Sequence, residues 1–396
     1  MPWPATSLTA EGPSGAVRDP IERIAAGLLI LGITFSQRIA LANILLGAAF
    51  LLWLAALVRG TATWRRAPIY PALLAWVMAS LLAAACSHDP RTGAAAIWDL
   101  PTLALVPMAV SLMDGRRWDL MLRCLAVIAT VSSSVGLWQY LHGASTLDSR
   151  LHGFVSHYMT FSGWTLIVTL LLAADIVFNG AQRRIWTVPV FALCCAVLAL
   201  TYTRGVWIGL AMGAILVVML WRPKVMLAAP ILVAVLAVVV PMTVKQRAIS
   251  ILDPTHPSNY DRICMARAGL SMVADHPLTG IGLDMVKSSY ESYRVPGSIM
   301  DRPPHLHNNV VQIAAERGLA GLAAYTAIIA IFGVAALRAL GWPSSPVSPA
   351  VAGALAAVVG ITVAGLFEYF WGDAEVWIPT LLCLATPFAL TGEDRS

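Results

Sequence analysis

The chain has 396 residues, of which 58% are hydrophobic and 12% are charged, and its mean hydropathy is +0.75. This composition excludes an ordinary soluble domain, because apolar runs long enough to cross about 30 Å of hydrocarbon recur along almost the whole chain. The net charge of +5 is distributed over short connections between those runs, so it does not indicate a nucleic-acid-binding protein. The sequence therefore predicts an all-α polytopic membrane protein.

The apolar runs predict about twelve transmembrane helices. They lie near residues 21–36, 39–58, 68–86, 95–112, 118–141, 155–178, 185–202, 205–221, 225–243, 306–336, 349–370 and 375–391. The short connections on one side are rich in arginine and lysine: Arg59, Arg65, Arg66, Arg116, Arg117, Arg183, Arg184, Arg222, Lys224 and Arg338. Those on the other side hold only Arg38, Arg91, Arg150 and Arg204. Because basic residues favour the cytoplasmic side, both termini are predicted to be cytoplasmic.

Three parts follow from this topology. Residues 1–243 are expected to hold transmembrane helices 1–9, and residues 305–396 to hold helices 10–12. Residues 244–304, called the polar segment below, are expected to form a loop or cap on the outer face, which is periplasmic in a Gram-negative cell. Within the polar segment we expect an amphipathic helix over 261–274, with Ile263, Ala266, Leu270 and Val273 on its apolar face, and a second short helix over 283–293.

Two histidines stand where the polar segment meets the next apolar run, in the stretch Pro303-Pro304-His305-Leu306-His307-Asn308-Asn309. His307 and Asn308 are expected in the first turn of the following helix, where free N–H groups attract anions and disfavour a charged imidazole. A neutral histidine there could remove a proton from a sugar hydroxyl. The alternative is a pair of hydrated histidines at the membrane interface.

Candidate anion ligands are found among the outer arginines. Arg204 lies in the very short connection Thr201–Trp207, where its guanidinium could hold a diphosphate through paired hydrogen bonds. An arginine snorkelling to the interface is the alternative. For Arg262 and Arg267 in the polar segment, solvated charge is the default alternative to an anion contact. For Arg38, after the first predicted span, the alternative is again a snorkelling arginine.

Metal chemistry is not expected from the sequence. A His-x-His pair without a nearby cysteine or carboxylate set does not predict zinc, and no acidic pair at metal spacing lies on the outer side. We therefore expect no metal and no cofactor. Glu316 and Glu368 are acids that could orient an imidazole instead.

Three motifs resemble those of one enzyme superfamily. His307-Asn308, followed after nine residues by Gly318 and after two more by Gly321, resembles the signature of lipopolysaccharide O-antigen ligases. The stretch around Arg204 resembles the Thr-x-Ser-Arg-x-x-Trp stretch of the O-antigen ligase and polymerase superfamily, with Thr203 in the serine position. Arg262 followed by His276-Pro277-Leu278-Thr279-Gly280-Ile281-Gly282 is similar to its outer segment, so the resemblance covers about residues 201–321.

The resemblance implies a membrane glycosyltransferase with a GT-C-like architecture. Such a ligase transfers a finished glycan from undecaprenyl diphosphate to the lipid A–core oligosaccharide, at the periplasmic face of the inner membrane, without metal or nucleotide and with inversion. Its partners here would be undecaprenyl diphosphate-linked O-antigen, lipid A–core oligosaccharide and membrane lipids. Carried over to this chain, His307 is the general base, and Arg204 and Arg262 hold the diphosphate. Further candidate substrate contacts are Arg267, His305, Asn308 and Arg38.

Two alternatives differ from the ligase in acceptor or in class. An O-antigen polymerase or a protein O-oligosaccharyltransferase of the same superfamily would use another acceptor. A lipid-linked glycan transporter or flippase would place ionisable residues near the middle of spans or show repeated broken helices. Asp99, Asp175 and Glu368 instead lie near predicted span ends, which argues against a transporter.

Overall fold

The computed structural model describes residues 19–146, 149–228, 242–341 and 348–390. In these ranges the chain is helical, and its one β-feature is an isolated bridge between Ser145 and Arg150. The longer helices are α1 (Pro20–Thr34), α2 (Ile39–Val58), α3 (Tyr70–Ala85), α4 (Pro90–Leu112), α5 (Gly115–Leu141), α6 (Tyr158–Phe178), α7 (Ala181–Leu200), α8 (Arg204–Trp221), α9 (Met242–Ile249), α10 (Pro257–Asp275), α11 (Val286–Tyr293), α12 (Asn309–Leu340), α13 (Pro349–Ala364) and α14 (Ala374–Leu390).

Seven helices in the described ranges are long and apolar enough to cross a membrane: α2, α4, α5, α6, α7, α8 and α12. Three shorter apolar helices, α3, α13 and α14, accompany them. Eleven of the predicted spans contain a helix at the expected place. The remaining one, 225–243, lies mostly outside the described residues, so the total of twelve stays a prediction.

Two helices differ from the prediction: α4 changes its helix type along its length, and α13 is shorter than predicted. α4 changes from α-helix to a 3₁₀ stretch over Ile97–Ala104, which contains Pro101, because proline cannot donate the i→i−4 hydrogen bond. α13 ends at Ala364, although the apolar run predicted a span to residue 370. Residues 365–373 form instead a connection before α14 that carries Glu368. Glu368 is therefore on a connection and not on a helix.

The contact between α8 and α13 positions one end of the site. A β-carbon at Gly209 on α8 would lie 2.4 Å from the carbonyl oxygen of Gly360 on α13, so only glycine permits this close crossing. At the start of α8, a β-carbon on Gly205 would lie 2.8 Å from the β-carbon of Phe367. The crossing therefore brings Arg204, the first residue of α8, beside the connection that carries Glu368.

The polar segment packs on α12 through α10 and α11. The buried side of α10 consists of Asp261, Cys264, Met265, Ala268, Gly269 and Met272. The predicted apolar face is wrong, because Ile263 is 39% exposed and Leu270 is 61% exposed. The reason is close packing by small residues: a β-carbon at Gly269 would lie 2.4 Å from Cγ1 of Val311 on α12.

A break in α12 joins the polar segment to that helix. Gly318 has φ 63° and ψ −167°, and a β-carbon there would lie 2.3 Å from backbone atoms of Leu278. Leu319 N–H donates to the Pro277 carbonyl (2.7 Å), and Ile281 N–H donates to the Ala315 carbonyl (2.8 Å). The His-Pro-Leu-x-Gly-x-Gly stretch and the glycine after His307 are therefore two sides of one structural joint.

Candidate active site

His307 lies just before α12. The helix begins at Asn309, and Asn308 is its N-cap, with its side-chain oxygen accepting from Val311 N–H at 3.0 Å. The prediction that His307 and Asn308 form the first turn is therefore wrong; asparagine is a strongly preferred cap residue. Two donors of the first turn already have partners: Val311 N–H donates to Asn308, and Asn309 N–H donates to the Gly365 carbonyl at 2.6 Å.

The two asparagines connect α12 to the segment that carries Glu368. Asn308 Nδ2 donates to the Leu366 carbonyl at 2.9 Å, and Asn309 Oδ1 accepts from Trp371 N–H at 3.1 Å. Asn308, a predicted substrate contact, therefore caps α12 and bonds to the segment that carries Glu368. Asn309 has no role in the sequence-based hypothesis, and its only signal there is a polar residue that opens an apolar helix.

Glu368 contacts both histidines. His307 Nδ1 lies 2.8 Å from Oε2 of Glu368, and His305 Nδ1 lies 3.3 Å from Oε1. His307 has φ 50°, a left-handed conformation that is uncommon for a residue with a side chain and is found preferentially at functional sites. Because the carboxylate accepts from Nδ1–H, we assign the proton of neutral His307 to Nδ1, which leaves Nε2 able to accept another proton.

Glu368 and His305 differ in charge near neutral pH because their pKa values are shifted by different causes. Burial raises the pKa of Glu368, but the hydrogen bond and charge interaction with His307 outweigh it and hold that pKa at about 2. Burial lowers the pKa of His305 to about 4, although Glu368 opposes the shift. Near pH 7, Glu368 is therefore ionised and His305 is neutral. His305 Nδ1 lies 3.3 Å from the backbone nitrogen of His307 and 3.3 Å from Oε1 of Glu368, so its tautomer decides whether it accepts from the first or donates to the second.

This cluster also has the composition of a metal site. The ligand atoms of His305, His307 and Glu368 lie within 4.8 Å of one another. The sequence-based argument against zinc relied on the lack of a nearby carboxylate, and the fold supplies one from a distant part of the chain. The separation of 2.8 Å between His307 Nδ1 and Glu368 Oε2 fits a hydrogen bond. Two ligands of a tetrahedral zinc ion lie about 3.3 Å apart for normal bond lengths, which is the separation between His305 Nδ1 and Glu368 Oε1.

Glu316 was the other acid that could orient a histidine, but its carboxylate has different partners. Oε1 accepts from Gln312 Nε2 (2.8 Å) and from Asp284 N–H (3.1 Å), and Oε2 contacts Arg317 Nη1 at 2.9 Å. Glu316 therefore holds the joint between α12 and the polar segment, and Glu368 is the acid at the histidines.

Beside Glu368 is a small cavity of about 100 Å³. Four arginines line it: Arg150, Arg204, Arg247 and Arg262. Glu368 is the one acid among the described residues that line it. Because that carboxylate also binds His307, it links the histidine pair to the arginine-lined cavity.

Arg204 is buried, with 6% of its surface exposed, so it is not a snorkelling interfacial arginine. Its Nη1 donates to the carbonyl (2.7 Å) and hydroxyl (2.9 Å) of Ser250, and its Nη2 to Ser258 (2.6 Å) and Asn259 (2.5 Å). All four acceptors are neutral. They belong to the polar segment, so Arg204 connects α8 to that segment and keeps its charge uncompensated at these contacts.

The other predicted arginines divide into two groups. Arg262 lines the cavity, and its buried Nε has no hydrogen-bond partner among the described residues, a costly state for a charged donor. Arg267 and Arg38 are exposed and do not line the cavity. The guanidinium of Arg38 lies 5.5 Å from the ring centre of Phe154. Arg150 and Arg247 line the cavity although no sequence motif marks them.

Together these features define a class: in the described residues, a helical protein with several candidate membrane spans, a histidine–carboxylate pair and an arginine-lined cavity. Residues 189–326 match the Wzy_C family model, described as O-antigen ligase, which covers less than half of the chain. The match supports an O-antigen ligase-family protein and agrees with the resemblance, and the seven long apolar helices are consistent with a protein that crosses the membrane several times. It includes Arg204, Arg262 and His307 and ends before Glu368. No curated protein matches the chain.

Proposed function

We propose that this protein is an O-antigen ligase that transfers a glycan from undecaprenyl diphosphate to lipid A–core oligosaccharide. The observation that carries this proposal is the double contact of Glu368, which lines the arginine cavity and accepts a hydrogen bond from His307. A glycosyl transfer from a diphosphate needs a base at the acceptor and positive charge at the leaving group. Here His307 is the candidate base and the cavity arginines carry the positive charge, and Glu368 lies between the histidine and the cavity.

In the proposed reaction the acceptor hydroxyl oxygen attacks the anomeric carbon of the donor sugar. Nε2 of His307 takes the hydroxyl proton, and Glu368 stabilises the imidazolium through its contact at Nδ1. The bond between the anomeric carbon and the diphosphate oxygen breaks, and its electron pair leaves with the diphosphate. Arg204 and Arg262 neutralise the charge that develops there. Attack from the face opposite the leaving group inverts the anomeric carbon.

The proposed topology follows the arginine distribution. The polar segment (244–304) and the site lie on the periplasmic face of the inner membrane, between the helices of residues 1–243 and those of residues 305–396. Both termini are cytoplasmic. The acceptor sugar and the polyprenyl tail would approach from the periplasm and the outer leaflet, where both substrates of an O-antigen ligase are found.

Transfer is expected to continue at its full rate in excess EDTA, because the arginines supply the positive charge that a divalent cation would otherwise supply. The measurement is transfer of glycan from purified lipid-linked donor to lipid A–core by the purified protein, before and after chelation. Complete loss of transfer that added Zn²⁺ or Mg²⁺ restores would assign the His305–His307–Glu368 cluster to a metal ion and overturn the metal-free mechanism.

A deletion strain tests the acceptor and separates the alternatives. Loss of a ligase is expected to leave polymerised glycan on undecaprenyl diphosphate and lipid A–core without glycan. Loss of a polymerase would instead leave lipid A–core that carries one repeat unit, and loss of a protein O-oligosaccharyltransferase would leave lipopolysaccharide normal. Loss of a flippase would trap lipid-linked glycan on the cytoplasmic side, as measured by its protection from an externally added glycosidase.

A further inference from the structure

Leu306, the residue between the two histidines, is held by both its side chain and its backbone. The side chain is 1% exposed and belongs to a buried apolar cluster with Met265 and Tyr290 of the polar segment. It packs so closely on α10 that a β-carbon at Gly269 would lie 2.7 Å from its Cδ1. Its backbone N–H donates to Oε1 of Gln312 at 2.7 Å. These contacts determine where the backbone of the two neighbouring histidines lies.

Gln312, on the first turns of α12, uses both ends of its side-chain amide. Its surface is 2% exposed. Oε1 accepts from Leu306 N–H, and Nε2 donates to Oε1 of Glu316 at 2.8 Å. A backbone N–H can only donate, so the amide oxygen has to face Leu306 and the amide nitrogen is left for the carboxylate. An ionised carboxylate at this position could only accept, and a thioether could not donate. The buried amide therefore connects Leu306 to a buried acid.

The far end of this hydrogen-bonded chain is anchored on the polar segment and on α3. Glu316 accepts from Asp284 N–H at 3.1 Å, and its Oε2 lies 2.9 Å from Nη1 of Arg317. Arg317 Nε donates to Ser80 Oγ at 3.1 Å, and the guanidinium carbon lies 4.7 Å from the ring centre of Trp76. Buried polar networks whose members have partners are stiff. The chain can therefore hold the backbone of Leu306 in place.

His307 requires such support because its backbone is strained. A residue with a side chain keeps a left-handed conformation, here φ 50°, only where surrounding contacts impose it. Its own nitrogen lies 3.3 Å from His305 Nδ1, which is a long contact. On the other side, Asn308 Nδ2 donates to the Leu366 carbonyl at 2.9 Å. The strained residue is thus held from behind by Gln312 and from in front by Asn308.

Building on the proposed function, we propose that Gln312 is a positioning residue for His307, the proposed base. It acts through Leu306 N–H and keeps Nδ1 of His307 at hydrogen-bonding distance from Glu368. Gln312 is buried and does not line the arginine cavity, so it contacts no substrate in the proposed reaction. Its loss lowers the fraction of molecules in which the imidazole is correctly placed. The turnover number therefore falls, whereas KM for donor and acceptor stays unchanged.

Hydrogen–deuterium exchange tests the link without any assay of activity. Gln312→Met keeps the length of the side chain and removes both hydrogen bonds. In purified full-length protein in detergent, exchange of the Leu306 amide is expected to become about tenfold faster. Thr326→Val is the control, because it removes a hydroxyl of the same helix that donates to the Leu322 carbonyl. It should leave exchange of the Leu306 amide unchanged.

The transfer assay tests whether the link matters for catalysis. Gln312→Met is expected to lower kcat about 10–100-fold, the usual cost of losing a group that orients an imidazole. Added to His307→Ala, it should not lower the residual rate further, because its effect passes through the imidazole. Thr326→Val should transfer glycan at the normal rate. If Gln312→Met does not fold, Gln312→Asn replaces it, since its amide is one methylene too short to reach Leu306.

The possible results separate this inference from the proposed function. Unchanged exchange of the Leu306 amide, or a normal kcat, in Gln312→Met would overturn the positioning role even if the protein is a ligase. A raised KM with a parallel loss of thermal stability would also overturn it, since Gln312 would then serve only the fold. Faster exchange together with normal transfer by His307→Ala would reject the proposed function instead, because Gln312 would hold a residue that is not the base.

Discussion

His307→Ala is expected to lower the turnover number of glycan transfer by about 10²–10⁴-fold, the usual contribution of a general base. His307 has a carboxylate at Nδ1 (2.8 Å), which leaves Nε2 to take the acceptor proton. Alanine removes the base without adding bulk. The measurement is steady-state transfer from lipid-linked donor to lipid A–core by purified protein. Near-normal turnover in His307→Ala would reject His307 as the base.

Two further variants define the histidine more closely. His88→Ala removes an exposed histidine that lies outside the cluster, and it should transfer glycan at the normal rate. Glu368→Gln is expected to lower kcat by about 10–100-fold, the typical cost of losing a group that orients an imidazole. The variant should keep the thermal unfolding temperature of the unmodified protein, whereas a purely structural role for Glu368 would lower activity and thermal stability in parallel.

Arg204→Ala is expected to lower kcat/KM for the donor by about 10²–10³-fold, because it removes a guanidinium that stabilises charge on the leaving diphosphate. Arg204→Lys should recover little activity, since lysine cannot reproduce the two-nitrogen geometry seen toward Ser250, Ser258 and Asn259. The measurement is the same transfer assay with donor concentration varied. Normal kcat/KM in Arg204→Ala would remove this residue from the mechanism.

Arg204 also holds the polar segment, and a matched variant separates the two roles. Ser258→Ala removes one hydrogen bond of Arg204 but no charge. If Arg204 acts mainly by holding the segment, then Ser258→Ala should lower activity and thermal stability in parallel, as Arg204→Ala does. If its charge is what matters, Ser258→Ala should retain most of the activity.

The helices were predictable because apolar runs of membrane-spanning length are a property of local sequence. The residues at which the helices begin and end were less predictable. The start of α12 moved from His307 to Asn309, and α13 stops six residues short, because hydrogen bonds between Asn309 and Gly365 and between Asn308 and Leu366 determine where both helices end. These bonds join residues far apart in the chain, and no local pattern reveals them.

The site was predictable where a motif marked it and unpredictable where only the fold assembles it. Arg204, Arg262 and His307 were found from short stretches. The contact between His307 and Glu368 joins residues 61 positions apart. Arg150 lies in the connection between α5 and α6 and Arg247 lies on α9, both without a motif, and the fold brings them to the cavity that Arg204 lines. The predicted apolar face of α10 was wrong because the contact with α12 centres on Ala268 and Gly269, with Met265 and Met272 beside them, and leaves Ile263 and Leu270 exposed.

The asparagine pair at the start of α12 has a consequence for tolerance to mutation. His307 and Glu368 stand on segments whose backbones are bonded to each other through Asn308 and Asn309. The distance between the His307 and Glu368 side chains is therefore set by backbone contacts between the start of α12 and the segment after α13. For the proposed ligase, this means that residues around the acceptor sugar can be exchanged while the histidine–carboxylate geometry is kept.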